Sequence, residues 1–295
     1  MATGKGGFDG WREAAEAAKV SLRSLSPAEC LVLLDPEGAD PKELIRVTLL
    51  DLIAKKAIHF ERRPRQTFFM RRTVEDPYLI AGSDLRRSGI KHHEHLILDI
   101  VRREGEVSLK RFAREVARAL RKARAFKDAY VVEDLSKAGL IVEERRFALF
   151  RHKYLSEKGE RVRAVLKDLR DHAARHMDGW IGADSDKAAL FLALVGTNIL
   201  IMPEILQRLD TAFSPLVTVS AGVDVELSFS NSLGVPLPDG FSQSFSDACD
   251  ALQIDGTSFN ACFDSLGSGA FDGGSSGGGG DGGGGGGDGG GGGGD

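Results

Sequence analysis

Between His92 and Lys158 the apolar residues change their spacing once, and that change restricts the stretch to helices followed by a hairpin. Leu96, Ile97, Ile100 and Val101 recur at intervals of one, three and four, the stripe of an amphipathic helix, and Glu104-Gly105-Glu106 stops it. Ser108 is a candidate N-cap for a second helix reaching about Ala125. Its inner face is Leu109, Phe112, Ala113, Val116, Ala117 and Leu120, and its outer face is Lys110, Arg111, Arg114, Arg118, Arg121 and Lys122. A third helix, about Lys127 to Ala138, turns Val131, Val132 and Leu135 inward and ends at Gly139, a residue type suited to the left-handed conformation past a helix end. LIVEE and FALFRHKYL then read as two extended runs joined at a corner, Glu144-Arg145-Arg146. Helix, helix, helix, hairpin is the order of a winged helix.

A related ending occurs upstream. Ser26-Pro27-Ala28-Glu29 is a capping box with proline at the first helical position, and Asp40-Pro41-Lys42-Glu43 repeats the device. From Asp40 a helix runs to about Lys56, with Ile45, Thr48, Leu49, Leu52 and Ile53 on one face. IHFE and TFFMRR then alternate around Arg62-Arg63-Pro64-Arg65, the pattern of a second hairpin, and a loop from Asp76-Pro77 to Gly82 leads onward. Two winged-helix-like units result, over residues 26–90 and 91–176. Before them, residues 8–25 place Phe8, Trp11, Ala15, Ala18, Leu22 and Leu25 near one helical face, expected to pack on the body; a membrane-surface anchor is the alternative.

Charge is segregated along the chain. Residues 42–176 hold 33 basic against 20 acidic side chains, whereas residues 177–295 hold 2 against 16. A basic body calls for an anionic partner: a membrane surface, nucleic acid, or the chain's own acidic end. The arginines Arg62, Arg63, Arg65, Arg145 and Arg146, placed at the two hairpin corners, are the candidate anion-binding residues. The outward positions of the third helix, Lys127, Asp128, Glu133, Asp134, Ser136 and Lys137, are net acidic, which argues against reading DNA through it.

Chemistry-bearing motifs are sparse. His92, His93 and His95 with Glu94 lack the i, i+4 spacing that places two imidazoles on one helical face, so no metal is expected. Cys30, Cys249 and Cys262 are scattered, which points to reduced thiols and not to a disulfide or zinc framework. No phosphate loop or nucleophile elbow is found in the part expected to be ordered, no cofactor is implied, and the expectation is a non-enzymatic protein. No charged-then-apolar leader stands at Met1 to Gly10, so a cytoplasmic protein, peripheral at most to the inner membrane face, is expected.

Residues 177–229 hold the most apolar run, Ala188 to Met202, too short to span a bilayer; a buried helix is expected, with a membrane-dipping segment as the alternative. Residues 216–229 alternate as a hairpin would. From 230 to 295, serine, glycine, aspartate and spaced phenylalanines predict a disordered tail, with Phe241, Phe245, Phe259 and Phe263 able to dock on the body and the final glycine tract flexible.

Two family resemblances follow from short segments. LSPAECLVLL, VTLLDLIAKKAI, DLSKAGLIVEERR, KYLSEKGERVRAVL and LALVGTNIL, followed by a glycine tail, resemble an uncharacterised family of bacterial membrane proteins with a glycine-rich, often cysteine-containing C-terminus. That resemblance implies no known activity, and here aspartate stands among the tail glycines in place of cysteine. DLIAKKAI, DLSKAGLIVEERRFALF and SDKAALFLALVGTNIL are also similar to the phosphoinositide-binding Golgi phosphoprotein 3 family. This second resemblance implies a mostly helical fold docking on membranes through a basic pocket; it carries over no residues.

The expectation is thus a mainly α protein with small β-hairpin wings, built as tandem winged-helix-like units with a disordered glycine-rich tail. Its expected role is to hold an unidentified protein partner at or near the cytosolic membrane face. An anionic-lipid binder is the alternative, and a DNA-binding regulator the third.

Overall fold

The computed structural model describes residues 22, 24–66, 73–82, 90–120, 124–146, 150–183, 191–192, 194–202, 204–205, 208, 259 and 261–262. They form a mostly helical body with two small antiparallel sheets. Helix α1 (Pro27–Leu34) starts as its capping box requires: Glu29 N–H donates to Ser26 Oγ (3.2 Å), and Ser26 N–H donates to Glu29 Oε2 (2.7 Å). Helix α2 (Pro41–Ala54) has only half of the device. Asp40 accepts from Lys42 N–H, while Glu43 turns to Arg46. Eight of the α2 side chains from Leu44 to Ala54 are buried hydrophobics, each worth about 1.5–3 kcal/mol when removed from water if large.

Strands β1 (Ile58–Gln66) and β2 (Thr73–Ala81) pair antiparallel from Ile58 opposite Ala81 to Gln66 opposite Thr73. This corrects two expectations. Arg62, Arg63 and Arg65 lie inside β1 and not at a corner, and residues 76–81 are strand and not a connecting loop. The Arg-Arg-Pro-Arg run resembled a turn, but β1 is an edge strand, where a proline's missing N–H costs no ladder bond. Helix α3 (His92–Glu104) ends at Gly105, whose φ of 70° suits glycine, and leads into β3 (Glu106–Ser108). β3 pairs with β2, placing Leu79 opposite Val107. One sheet, and one buried cluster, therefore cross the boundary drawn between residues 90 and 91.

Helix α4 (Leu109–Leu120) buries Leu109, Phe112, Ala113, Val116 and Leu120, as its stripe predicts. The next helical stretch departs from expectation. It already contains α5 (Arg124–Phe126), widens into a π turn (Lys127–Val131), and resumes as α6 (Val132–Lys137). The physical reason is visible in the core. Phe126 and Val131 are both fully buried five residues apart, a spacing that an i→i+5 turn satisfies and a 3.6-residue repeat does not.

Strands β4 (Ile141–Arg146) and β5 (Phe150–Leu155) form the second sheet. Arg145 and Arg146 sit within β4, opposite Arg151 and Phe150, so the expected corner falls later in the chain. Helix α7 (Glu157–Ala183) runs past the expected end at His176 and buries Val162, Leu166, Leu169, Ala173, Met177 and Trp180. The apolar run after it buries Phe191, Leu192, Leu194, Val195 and Ile199 to Met202, but its described residues do not form one α-helix. At Gly196 (φ 56°) it turns into a 3-10 segment, Gly196–Ile201. Among the described residues, no helix is long and apolar enough to cross a membrane. Phe259 is fully buried and Cys262 packs against the same cluster, so the segment expected to be a tail contributes to the core at this point. The remainder of that segment, the hairpin expected at 216–229 and most of the helix expected at 8–25 lie outside the described residues.

Candidate functional site

Two polar constellations were not evident in the sequence. The first is buried where α1, α2, α3 and α6 meet. Lys55 Nζ bonds Asp51 Oδ2 and Glu94 Oε1, both at 2.8 Å, and both carboxylates are fully buried. Glu94 Oε2 also accepts from Lys91 N–H at 3.0 Å, and the Lys91 ammonium lies 3.3 Å from the buried Glu29 carboxylate. Burial alone would pull the Lys55 ammonium down, but Asp51 and Glu94 outweigh it and hold its pKa above the ordinary lysine value. For Glu94, burial and then the Asp51 charge push the carboxyl above its ordinary range despite Lys55. Burial, reinforced by Glu29 and Asp51, also keeps Cys30 a neutral thiol. Its Sγ–H donates to Asn198 Oδ1 at 3.4 Å, and the Asn198 amide donates to the carbonyls of Leu22 and Leu25.

Beside these charges, Ser26 Oγ lies 2.9 Å from His93 Nε2, and His93 Nδ1 lies 2.9 Å from Asp134 Oδ2. A serine, a histidine and an aspartate at these distances match the order of an activated nucleophile. Three observations assign them a structural role instead. His93 is fully buried and Ser26 is 3 % exposed, so no substrate reaches the hydroxyl. The same Oγ is committed to capping α1. The next residue, Pro27, has no backbone N–H to stabilise an oxyanion. With Nδ1–H donated to Asp134, Nε2 accepts the Ser26 hydroxyl, and every polar atom of the imidazole is satisfied. Burial alone would raise the Asp134 pKa, but the bond to His93 lowers it below its ordinary value.

The second constellation is open to solvent: a cleft of about 450 Å³ between the loop after α1, the π turn and the second sheet. The π turn brings Lys127 and Asp128 to it, α5 brings Arg124, and β5 brings Lys153 and Tyr154. Pro36, Val132 and Ile141 form the apolar part of the lining, and Glu37 is at its edge. Asp128 engages Arg124 at 3.2 Å. The two lysines bond neutral oxygens instead: Lys127 donates to the Glu37 carbonyl (2.8 Å) and Lys153 to the Asp128 carbonyl (3.2 Å). Lys127 is only 8 % exposed, and this burial pulls its pKa down against the nearby acids Asp128, Asp35 and Glu37. Next to the cleft, Val142 and Tyr154 face each other across β4 and β5, about 40 % exposed.

The predicted anion-binding arginines lie elsewhere, on two different sheets. Arg63 is committed within its own sheet, pairing with Glu61 and Glu106 and lying over the Tyr78 ring at 5.1 Å. Arg62 is exposed opposite Pro77; Arg65 stands opposite Val74. Of the histidine cluster, His93 belongs to the buried chain and His92 lies 4.9 Å from Tyr130. Among the described residues, no three potential ligands are placed to hold a metal ion.

No family model matches this chain, and no curated protein or solved structure matches it. The two family resemblances rest on their short motifs alone.

Proposed function

We propose that the protein is a non-enzymatic interaction module whose cleft holds an acidic, aromatic-bearing segment of a protein partner. One observation carries this reading. Two ammonium groups, Lys127 and Lys153, bond carbonyl oxygens among the described residues while standing beside the exposed surface of Tyr154 and its cross-strand neighbour Val142. A carboxylate gains more from a partly desolvated ammonium than a neutral carbonyl does, and an aromatic ring gains from the apolar lining. Residues 91–176 keep an order of helices closed by a hairpin, which supports a winged-helix-like unit there, a class of fold that serves protein docking as well as nucleic acids; residues 26–90 hold two helices before their hairpin and share its sheet with β3. On the outward face of α6, Glu133 pairs with Lys137 and leaves no net positive charge for phosphate, which disfavours a regulator.

The test is fluorescence anisotropy of a short labelled peptide rich in Asp and Phe, titrated with the full-length protein. Saturable binding is expected, weakened at least about tenfold in Lys127→Gln/Lys153→Gln, since each charge-assisted bond is worth about 1.5–3 kcal/mol. Equal binding by both proteins would remove the cleft from the reading.

An anionic membrane surface is the second reading. The exposed Arg62 on β1 supports it, and with Arg63, Arg65, Arg145 and Arg146 it would meet the cytosolic membrane face. Salt-sensitive co-flotation with anionic but not neutral vesicles tests it, and absence of flotation at low salt removes it.

A further inference from the structure

The i, i+4 spacing absent from His92, His93 and His95 is present further along the chain, in the run His172-Ala-Ala-Arg-His176. Both histidines stand on α7, where four positions make just over one turn, so the two imidazoles share a face. Their ring centroids are 4.5 Å apart, with the planes inclined at 45°. Trp180, another four residues on, packs against both: its ring lies 5.5 Å from His172 and 6.2 Å from His176, and it is itself buried, 5.9 Å from Phe191. Among the described residues, the other side of the pair is open. His176 is exposed, His172 is half-buried, and a Cβ added at Gly179, three residues past His176, would meet nothing within 4 Å.

We propose that His172 and His176 form a site for a divalent transition metal ion of the class that prefers imidazole nitrogen, zinc or copper(II), with water in the remaining positions. Two zinc–nitrogen bonds of about 2.0–2.1 Å at a tetrahedral angle keep the ligand nitrogens about 3.3 Å apart. Two rings with centroids 4.5 Å apart can supply that separation. Packing on Trp180 already restricts both rings, so less side-chain freedom is lost when the ion binds. The neighbouring charges are mixed: Asp168, one turn before His172, acts on that ring as an anion, and Arg175 acts on it as a cation. The consequence for the fold is local. An ion joining residues 172 and 176 clamps one turn of α7 just ahead of the contact between Trp180 and Phe191.

The test uses the full-length protein carrying Trp11→Phe, which leaves Trp180 as its one tryptophan. Copper(II) held between the two imidazoles lies against the Trp180 ring and quenches its fluorescence. The expected result is saturable quenching, reversed by EDTA, with a midpoint at least about tenfold higher after His176→Gln, because the second imidazole otherwise binds intramolecularly. His176 is exposed, so this replacement leaves the core in place. Zinc gives an independent reading: it is expected to raise the urea midpoint of the Trp11→Phe protein and not that of the same protein with His176→Gln, since an ion that binds only the folded chain stabilises it. Absence of saturable quenching, equal copper midpoints in the two proteins, or an equal zinc shift in both overturns the proposal. Displacement of copper by an equal concentration of magnesium, which prefers oxygen ligands, would assign the ion to carboxylates and overturn it as well.

Discussion

Replacing Lys55 by alanine lowers the folding free energy by about 3–5 kcal/mol, a large part of the 5–15 kcal/mol that holds a typical domain together. The effect comes from what remains. Asp51 and Glu94 are fully buried, Asp51 Oδ1 has no hydrogen-bond partner among the described residues, and Lys55 Nζ is the cation that binds both carboxylates. Without it, two carboxylates stand in the interior facing each other's charge. Glu94→Gln is expected to cost much less, about 1 kcal/mol, because the amide keeps the shape and relieves the repulsion from Asp51. The order K55A far below E94Q, read from urea midpoints at constant slope, distinguishes a charge-pinned junction from ordinary packing. Its pH dependence has a definite sign. The folded pKa of Lys55 is raised, so the stabilisation is complete below the ordinary value near 10.5 and is lost as pH climbs through the folded value. The gap between wild type and K55A is therefore constant from neutrality to about pH 10 and shrinks above it.

His93→Ala is the second large loss, about 3 kcal/mol, from two hydrogen bonds and the cavity left by a fully buried ring. The bond between His93 and Asp134 contributes most while the aspartate is ionised. Asp134 is depressed in the folded state, so this part of the stability is present above the ordinary carboxyl value and lost as pH falls through the folded one. Urea unfolding of wild type and His93→Ala at pH 7 and pH 3 reads the difference. The same chain gives a chemical readout. Ser26, sealed and occupied as an N-cap, stays unmodified by a fluorophosphonate in the native protein; labelling of Ser26 at a rate above that of other serines would establish an accessible nucleophile and contradict the structural role.

Local chemistry made much of the fold legible. The Ser26 capping box, the Asp40 cap, the stop at Gly139 and the inward faces of α2, α3 and α4 follow from residue types and periodicity, and they stand where expected. What failed were features whose cause lies elsewhere in the chain. Pro64 looks like a turn residue until β1 is known to be an edge strand. β3 is three residues long, too short to show a period, and exists because β2 offers it a partner. The π turn at 127–131 answers to the core position of Phe126 and not to its own sequence.

The sites were less legible for the same reason. Ser26, His93 and Asp134 are separated by 67 and 41 residues, and no spacing rule links them. The cleft lysines were visible only as members of a mixed helix face and of a strand; their convergence depends on the π turn and on the packing of β5. Phe259, an aromatic in a low-complexity acidic stretch, belonged to a segment expected to be a disordered tail whose phenylalanines could dock on the body, and its ring is fully buried.

The most direct test of the binding role is hydrogen exchange of the full-length protein with and without a saturating Asp/Phe-rich peptide, followed by mass spectrometry. The account predicts slower exchange in Lys127–Val131 and Phe150–Leu155, with Pro41–Ala54 unchanged. Protection confined to the basic outer face of Leu109–Leu120, or to β1, would move the binding surface away from the cleft and contradict it.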